Sequence, residues 1–259
     1  MSGTVRNAAS DAGDNPVVRA GARVGYAASG VLHLLIGWLA LQLAWGGGSG
    51  SADSSGAFTQ LGSTPVGAVL LWAVTAGFAL LGLWQLTELI GPGEAKDKVK
   101  NLGKAVLYLV LAGTALRIAA GGSSGGGEQT SSMTGTLMAQ PFGRILVAVV
   151  GAVVIGVGIY HVVKGVRSTF LRDLRENPGR WVTWAGRLGY IAKGVALAIV
   201  GGLFVVAAVQ SDPEGAEGLD GALRSLLELP FGSVLLTVVA FGIAFYGVYS
   251  FGRARYAKV

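Results

Sequence analysis

A segment that recurs three times constrains the fold of this chain more than any other feature. It begins Pro-Val-Gly or Pro-Phe-Gly, at Pro65, Pro141 and Pro230, and continues for about twenty apolar residues. At equal distances after each proline stand a glycine, an aromatic residue and a charged residue. These sets are Gly82, Gly158 and Gly247; Trp84, Tyr160 and Tyr249; and Glu88, Lys164 and Arg253. The shared register predicts one structural unit in three copies.

The composition favours a membrane protein. Of the 259 residues, 52% are hydrophobic and only 13% are charged, and the mean hydropathy is +0.58. These values lie outside the usual range for a soluble domain. The runs between charged segments approach the ~20 residues that a helix needs to cross ~30 Å of hydrocarbon. Many of the 43 glycines lie inside these runs, where small residues let helices approach closely.

The apolar runs predict an all-α integral membrane fold with six transmembrane helices. The predicted spans are 24–45, 66–90, 102–120, 142–163, 188–209 and 231–251. Two spans form each copy, so the three hairpin repeats share one orientation, and we expect parallel repeats with pseudo-threefold symmetry. The predicted divisions are a disordered cytoplasmic tail at 1–20 and hairpin repeats at 21–96, 97–176 and 177–259.

The distribution of positive charge predicts the orientation. All but three of the 20 Lys and Arg residues lie in the two tails, in the second and fourth connections, or about one turn or less inside the adjoining spans. The exceptions are Arg117, Arg144 and Arg224. By the positive-inside rule, this alternation places both termini in the cytoplasm. The net charge of +6 therefore indicates membrane topology, and we expect no nucleic-acid partner.

The outer connections end in a common pattern. Leu61, Leu137 and Leu226 each stand four residues before the proline of their copy. This spacing predicts a short amphipathic helix on the outer surface. The proline is then expected to begin the return helix, where its missing N–H group has no cost.

The two histidines, His33 and His161, raise the possibility of a haem held between helices. His33 lies ~13 Å along the first predicted span, whereas His161 is close to the end of the fourth. Ligands on opposite faces of one haem should lie at similar depth. We therefore expect each histidine to make a polar interhelical contact, and we predict no cofactor.

The repeated aromatic and charged positions are candidates for interhelical or interface contacts. Trp84, Tyr160 and Tyr249, with Tyr26 and Tyr190, are expected to anchor the chain at headgroup depth rather than to line a ligand pocket. Glu88 is expected to pair with Lys164 or Arg253 and so to fix the order of the copies.

The basic connection 167–187 is expected to attract anionic headgroups, in preference to a cytoplasmic protein. No ionisable residue other than His33 is predicted far from a span end, because Lys193 follows the start of its span by about one turn. Phosphate-binding loops, His-Glu-x-x-His and Gly-x-Ser-x-Gly are absent from the sequence. We therefore predict no catalytic or metal-binding residues.

The openings of the odd-numbered helices also match. They read Arg23-Val-Gly-Tyr26, Asn101-Leu-Gly-Lys104 and Arg187-Leu-Gly-Tyr190. With the Pro-Phe-Gly returns, this layout resembles the bacterial membrane family called domain of unknown function 1206, over nearly the whole chain. Copy one departs from the pattern at Val66 and copy two at Lys104. The resemblance implies the repeated fold and a bacterial plasma membrane location, and it implies no activity.

Two functions remain open at this point. The first is a non-catalytic, multi-pass scaffold or accessory subunit, whose expected partners are membrane lipids and a larger membrane protein complex. The alternative is a small-solute transporter or channel along the pseudo-threefold axis. A pseudo-threefold axis filled by side chains favours the scaffold or accessory subunit. An axis open to water favours the transporter or channel.

Overall fold

The computed structural model describes residues 16–46, 50–90, 95–122, 126–175 and 178–256, and most of these residues are helical. The α-helices, in chain order, are α1 Pro16–Ala44, α2 Ser54–Gly62, α3 Pro65–Ile90, α4 Ala95–Ala119, α5 Gly126–Met138, α6 Gly143–Val166, α7 Arg180–Gln210, α8 Gly218–Leu227 and α9 Gly232–Tyr256. Two 3₁₀ helices, Thr169–Asp173 and Pro213–Gly215, flank α7. Helix α1 begins inside the predicted tail, and residues 1–15 lie outside the described part.

Among the described residues, five helices are long and apolar enough to cross a membrane. The candidate spans are Gly25–Ala44, Asn101–Ala119, Gly143–Val166, Arg180–Gln210 and Gly232–Tyr256. Within α3 the described apolar stretch, Pro65–Ala79, is shorter. The all-helical fold agrees with the prediction from the sequence. The candidate spans indicate a multi-pass membrane protein, as predicted.

A short helix occupies each predicted outer connection. Helices α2, α5 and α8 contain Leu61, Leu137 and Leu226, respectively. Leu226 is buried and the other two leucines are half-buried. The prediction that each of these connections contains a short helix is therefore confirmed.

The predicted helix start at proline is right for copy one and wrong for copies two and three. Helix α3 begins at Pro65, but α6 and α9 begin two residues after the proline. The intervening Phe142 and Phe231 have φ values of 61° and 62°, in the left-handed region, so the helix starts only at the following glycine. Copy one has Val66 at this position, and a β-branched residue is strained in that conformation.

The glycine of the repeated motif allows the return helix to touch the short helix before it. A Cβ added at Gly143 would collide with the carbonyl oxygen of Leu137, and one at Gly232 with that of Leu226. Gly67 stands in the same relation to Leu61. The spacing between leucine and glycine therefore sets this turn in all three copies.

The long helices pair mainly between copies, not within them. The most extensive contacts join α6 to α7, α1 to α9 and α3 to α4. Each pair combines the return helix of one copy with the opening helix of the next copy, and α9 returns to the first. In the third copy the two helices, α7 and α9, also pack closely.

Glycines bring α6 and α7 into backbone contact. A Cβ added at Gly151 or Gly158 would lie 2.7 Å from the carbonyl oxygen of Gly201 or Gly194, respectively. Gly165, a further seven residues along, faces the carbonyl of Arg187. Such a small-residue face replaces side-chain interdigitation with direct van der Waals contact between backbones.

Replacement of Gly158 by alanine tests this contact. We expect Gly158→Ala to lower the free energy of unfolding by about 1–3 kcal/mol, because the methyl group meets the backbone of α7. Gly156→Ala is the matched control, since an added Cβ there meets no atom within 4 Å. Thermal unfolding in detergent measures both variants. Equal stability of the two would contradict the assigned role of Gly158.

Polar contacts join the short helices into an outer cap. The Asp220 carboxylate accepts hydrogen bonds from the backbone N–H of Ala52 at 2.7 Å and from Arg224 Nε at 2.8 Å. Ser131 Oγ donates to the carbonyl oxygen of Glu214 at 3.2 Å. Asp220 thus connects the first outer connection to the third, and Ser131 connects the second to the third.

Removal of the Asp220 carboxylate should weaken the cap. Asp220→Ala leaves the buried N–H of Ala52 without its acceptor, and we expect a loss of about 1–3 kcal/mol of stability. The exposed Glu228 supplies a control of equal charge change, Glu228→Ala. Detergent unfolding curves that coincide for the two variants would refute the connection.

Candidate functional site: an aromatic–basic cluster

Four buried rings form the centre of a cluster at the end of the bundle that holds the α6–α7 connection. Phe170, Tyr190, Tyr246 and Tyr249 have ring centroids 5.0–6.0 Å apart in five mutual contacts. Phe170 comes from the 3₁₀ helix Thr169–Asp173 and is fully buried. The connection between α6 and α7 therefore folds back onto the bundle.

Glycines on α7 make room for these rings. A Cβ added at Gly186 would meet the ring of Phe170 at 2.5 Å, and one at Gly189 would meet Cα of Tyr246 at the same distance. The close approach of α7 and α9 at this level depends on both positions. The Gly-Tyr opening of the third copy therefore serves to admit an aromatic core.

Three cations border the rings. Lys193 Nζ lies 4.2 Å from the ring centroid of Tyr246, and Lys164 Nζ lies 5.3 Å from that of Tyr190. The Arg253 guanidinium stacks 4.2 Å from the Tyr26 ring and donates to its hydroxyl at 3.0 Å. Cation–π attraction stabilises each charge in these positions.

Negative charge in the cluster is scarcer than positive charge. Lys164 pairs with Asp173 at 2.7 Å. No carboxylate of the described residues forms such a pair with Lys193 or Arg253. The Tyr249 hydroxyl and Arg253 Nε are also buried without a hydrogen-bond partner. The cluster therefore contains positive charge and hydrogen-bond donors that are available to an anion. Because these groups are largely buried, unpaired charge there is costly.

His33 makes the expected interhelical contact. Its Nδ1 lies 2.8 Å from the carbonyl oxygen of Ser29, which can only accept, so Nδ1 carries the proton. Nε2 is then free to accept from Lys193 Nζ, at 3.3 Å. His33 on α1 is thus joined to Lys193 on α7 and to the Tyr246 ring, 4.7 Å away, on α9.

His161 lies on the other side of the cluster. Its Nδ1 donates to the carbonyl of Val157 on the same helix at 2.8 Å, and its ring is 5.7 Å from that of Tyr190. The rings of Tyr190 and Tyr246 stand between the two histidines. This arrangement does not bring the imidazoles to opposite faces of one haem.

The predicted interface anchors divide into two groups. Tyr160 is 60% exposed, as an anchor at headgroup depth should be, and Trp181 is also exposed. The prediction was wrong for Tyr190 and Tyr249, which are buried between helices. Both rings belong to the aromatic cluster that fills the space where α7 and α9 pack together.

The predicted pairing of Glu88 with Lys164 or Arg253 involves one side chain that the structure does not describe. Lys164 and Arg253 have Asp173 and Tyr26 as their partners. The side chains of Glu88 and Trp84 lie outside the described part, so the pairing of Glu88 stays a prediction.

Sequence reasoning missed Lys193, Phe170 and Tyr246 as members of one cluster. The predicted span began at residue 188, which placed Lys193 near its end, but α7 begins at Arg180. A lone lysine within a run of Gly, Ala, Val and Ile was the signal that pointed to a specific environment. Phe170 gave no comparable signal within its basic connection.

The repeats are also recognised by comparison with known families. The family model of the Domain of Unknown Function (DUF1206) matches three times, at residues 24–88, 99–168 and 188–257. The chain belongs to this family. It is 32% identical to a Bacillus subtilis (strain 168) protein described as "Uncharacterized protein YxxB", over 93% of this chain and 92% of that one. No solved structure matches the chain.

The Lys164–Asp173 pair provides a test of the cluster geometry. Lys164→Glu and Asp173→Lys should each cost about 1 kcal/mol, since the pair is partly exposed, and the combined swap should recover part of the loss. Unfolding of the single and double variants measures the coupling, with the exposed Arg167→Glu as control. Strictly additive losses would show that the two charges do not interact.

Proposed function

We propose that this protein is a non-catalytic scaffold or accessory subunit of the bacterial plasma membrane. The observation that supports this most is the direct backbone packing of α6 on α7 and of α1 on α9. Such packing fills the space between helices with small residues. Two surface grooves, of about 400 and 540 Å³, lie along the α6–α7 pair, and each is lined partly by exposed side chains.

We further propose six spans arranged around a pseudo-threefold axis. Equivalent glycines support this arrangement. A Cβ at Gly158 would lie 2.7 Å from the carbonyl of Gly194, and one at Gly247 would lie 2.8 Å from that of Gly30. Gly82, at the same position in copy one, faces Leu109 of α4. In this proposal α3 is the sixth span, and the α3–α4 pair is the third unit of the ring.

The arrangement departs from symmetry at the α3–α4 pair. Helix α2 contacts α1, α3 and α4, and so joins this pair to the rest of the bundle. Phe58 of α2 is buried in an apolar cluster with Leu71, Ala115 and Ile118. The proposed threefold relation therefore concerns the order of the helices and the positions of their contacts. The three helix pairs are not packed equally.

We propose that both termini are cytoplasmic, as the positive charges indicate. The chain contains no cysteine, so single cysteines can report the topology without a background signal. In intact cells, Ser132→Cys on the outer cap should react with a membrane-impermeant maleimide, and Arg167→Cys should react only after lysis. Both positions are exposed in the structure, so burial does not prevent labelling. Labelling of Arg167→Cys in intact cells would show that the chain has the opposite orientation.

Membrane lipids and a larger membrane protein complex are the proposed partners. The span surfaces expose large apolar side chains, including Trp38, Val69, Leu107 and Val153, as expected for contact with acyl chains or with other membrane helices. Purification from native membranes at low detergent tests for a protein partner. A stoichiometric partner supports an accessory role, and repeated isolation of the chain alone argues against it.

Transport of a small solute is the second candidate, because Lys193 and His33 meet within two candidate spans. Ionisable groups inside spans commonly mark solute or ion pathways. Proteoliposome swelling with small neutral solutes tests this function. Transport predicts faster swelling than in empty vesicles and slower swelling for Lys193→Trp, whereas the scaffold function predicts no difference from empty vesicles.

A further inference from the structure

The first two turns of α7 present two tryptophans on one exposed face. Trp181 is 88% exposed and Trp184 is 49% exposed. Their spacing of three residues places both rings on the same side of the helix, and Leu188, four residues further along, is exposed on that side as well. Amphipathic rings of membrane proteins concentrate at headgroup depth. This face is therefore expected to lie where the bilayer meets water.

Two arginines share this face. Arg180 and Arg187 stand four residues before and three residues after Trp184, so all three side chains emerge from the same side of α7. The Arg187 guanidinium lies 5.0 Å from the centroid of the Trp184 ring, and Arg180 is exposed. Neither α6 nor α7 contains an Asp or Glu residue, so no carboxylate of these two helices offsets the positive charge.

An apolar groove continues from this face along the α6–α7 pair. Its cavity volume is about 400 Å³, within the range of small-molecule sites. Val195, which lines the groove, follows Leu188 by seven residues, or two helical turns, and therefore lies on the same side of α7. Lys193 lies on the opposite side, where its Nζ is 4.2 Å from the Tyr246 ring of α9. The groove thus leads to the tryptophans and not to the aromatic–basic cluster. Its other lining residues are Ala198 and Ile199 of α7 and Ile159, Val162 and Val163 of α6.

The end of α6 lies at the level of these arginines. A Cβ added at Gly165 would lie 2.9 Å from the carbonyl oxygen of Arg187, so the two helices touch there. Arg167 is exposed two residues after Gly165, and it follows the groove residue Val163 by four residues. That spacing places Arg167 and Val163 on the same side of α6. A third positive charge therefore lies at this end of the groove.

We propose that this face binds an anionic phospholipid, with its phosphate at the arginines and one acyl chain in the groove. The positive charge and the adjacent indole rings match the head, and the apolar groove matches a hydrocarbon chain. A soluble anion would use only the first feature, and a neutral lipid only the second. The proposal rests on the proposed membrane location and lipid partners, and it does not depend on the accessory role.

The ligand classes are distinguished with the full-length protein in detergent. Native mass spectrometry measures binding of phosphatidylglycerol, phosphatidylcholine, glycerol 3-phosphate and inorganic phosphate at equal concentrations. We expect phosphatidylglycerol to bind most tightly, because only this probe combines a net negative head with acyl chains. Equal binding of phosphatidylcholine, or equally tight binding of either soluble anion, would overturn the site. Isolation of the chain without a protein partner would instead contradict only the accessory role.

Charge variants test the head site. Arg180→Met and Arg187→Met should each weaken phosphatidylglycerol binding by roughly fivefold, through loss of a charged contact at the surface. Arg255→Met is the matched control, since Arg255 is also exposed and lies 5.6 Å from a ring, that of Tyr256. It belongs to α9, which packs on the opposite side of α7, and its loss should change binding by less than about twofold. Equal losses in all three variants would indicate general attraction between charges and exclude the site.

A ring variant tests the tryptophans separately. Trp184→Ala should also weaken phosphatidylglycerol binding by roughly fivefold, because it removes the ring against which Arg187 is held. Trp72→Ala on α3 is the control, since Trp72 is 51% exposed, almost as Trp184 is. Thermal unfolding in detergent verifies that both variants are folded. Equal binding by the two variants would show that Trp184 has no part in the site.

Groove variants test the acyl chain. Val195→Trp should fill the groove and weaken phosphatidylglycerol binding by roughly tenfold. Val206→Trp adds the same ring at another exposed position of α7, about 16 Å further along the helix, and should have no effect. Both side chains are partly exposed, so the fold is retained, and circular dichroism verifies this. Unchanged binding by Val195→Trp would exclude the groove and overturn the proposal.

Discussion

Backbone contact between paired helices is the constraint on which the rest of the structure depends. Gly151 and Gly158 lie against the backbone of α7, and Gly201 and Gly194 lie against that of α6. Lipid chains are as apolar as the side chains of a neighbouring helix. The hydrophobic effect alone therefore does not hold two spans together. Close approach supplies the dispersion contacts that association then requires. This requirement explains why the apolar runs contain so many glycines.

The same close approach determines what lies at the ends of the helices. Where α7 and α9 converge, Gly186 admits the rings of Phe170 and Tyr249, and Gly189 lets the backbone of Tyr246 approach. The rings then provide faces on which Lys193 and Lys164 can rest within a largely apolar setting. At the opposite end, the short helices α5 and α8 close the bundle through polar contacts. The two ends thus differ in chemistry although they belong to the same repeats.

Sequence periodicity and charge were sufficient to predict the class of fold, the repeats and the short outer helices, because each leaves a regular pattern. The pattern could not show which helices pair. Pairing between copies depends on where the glycines of one helix meet the backbone of another, as Gly158 meets Gly194 and Gly247 meets Gly30. The cluster was predicted in fragments: Tyr249, Lys164 and His33 were candidates, but Lys193 seemed too close to a span end. The structure shows that α7 begins at Arg180, so Lys193 lies further along the helix than predicted.

The pairing of α1 with α9 has a consequence for biogenesis. The chain is synthesised from its N-terminus, so α1 enters the bilayer long before the helix that covers its small-residue face exists. Until α9 is made, Gly30 and Gly37 can face only lipid or a transient neighbour. The pairing of α1 therefore waits until α9 has been synthesised, and a chain interrupted before α9 cannot form it.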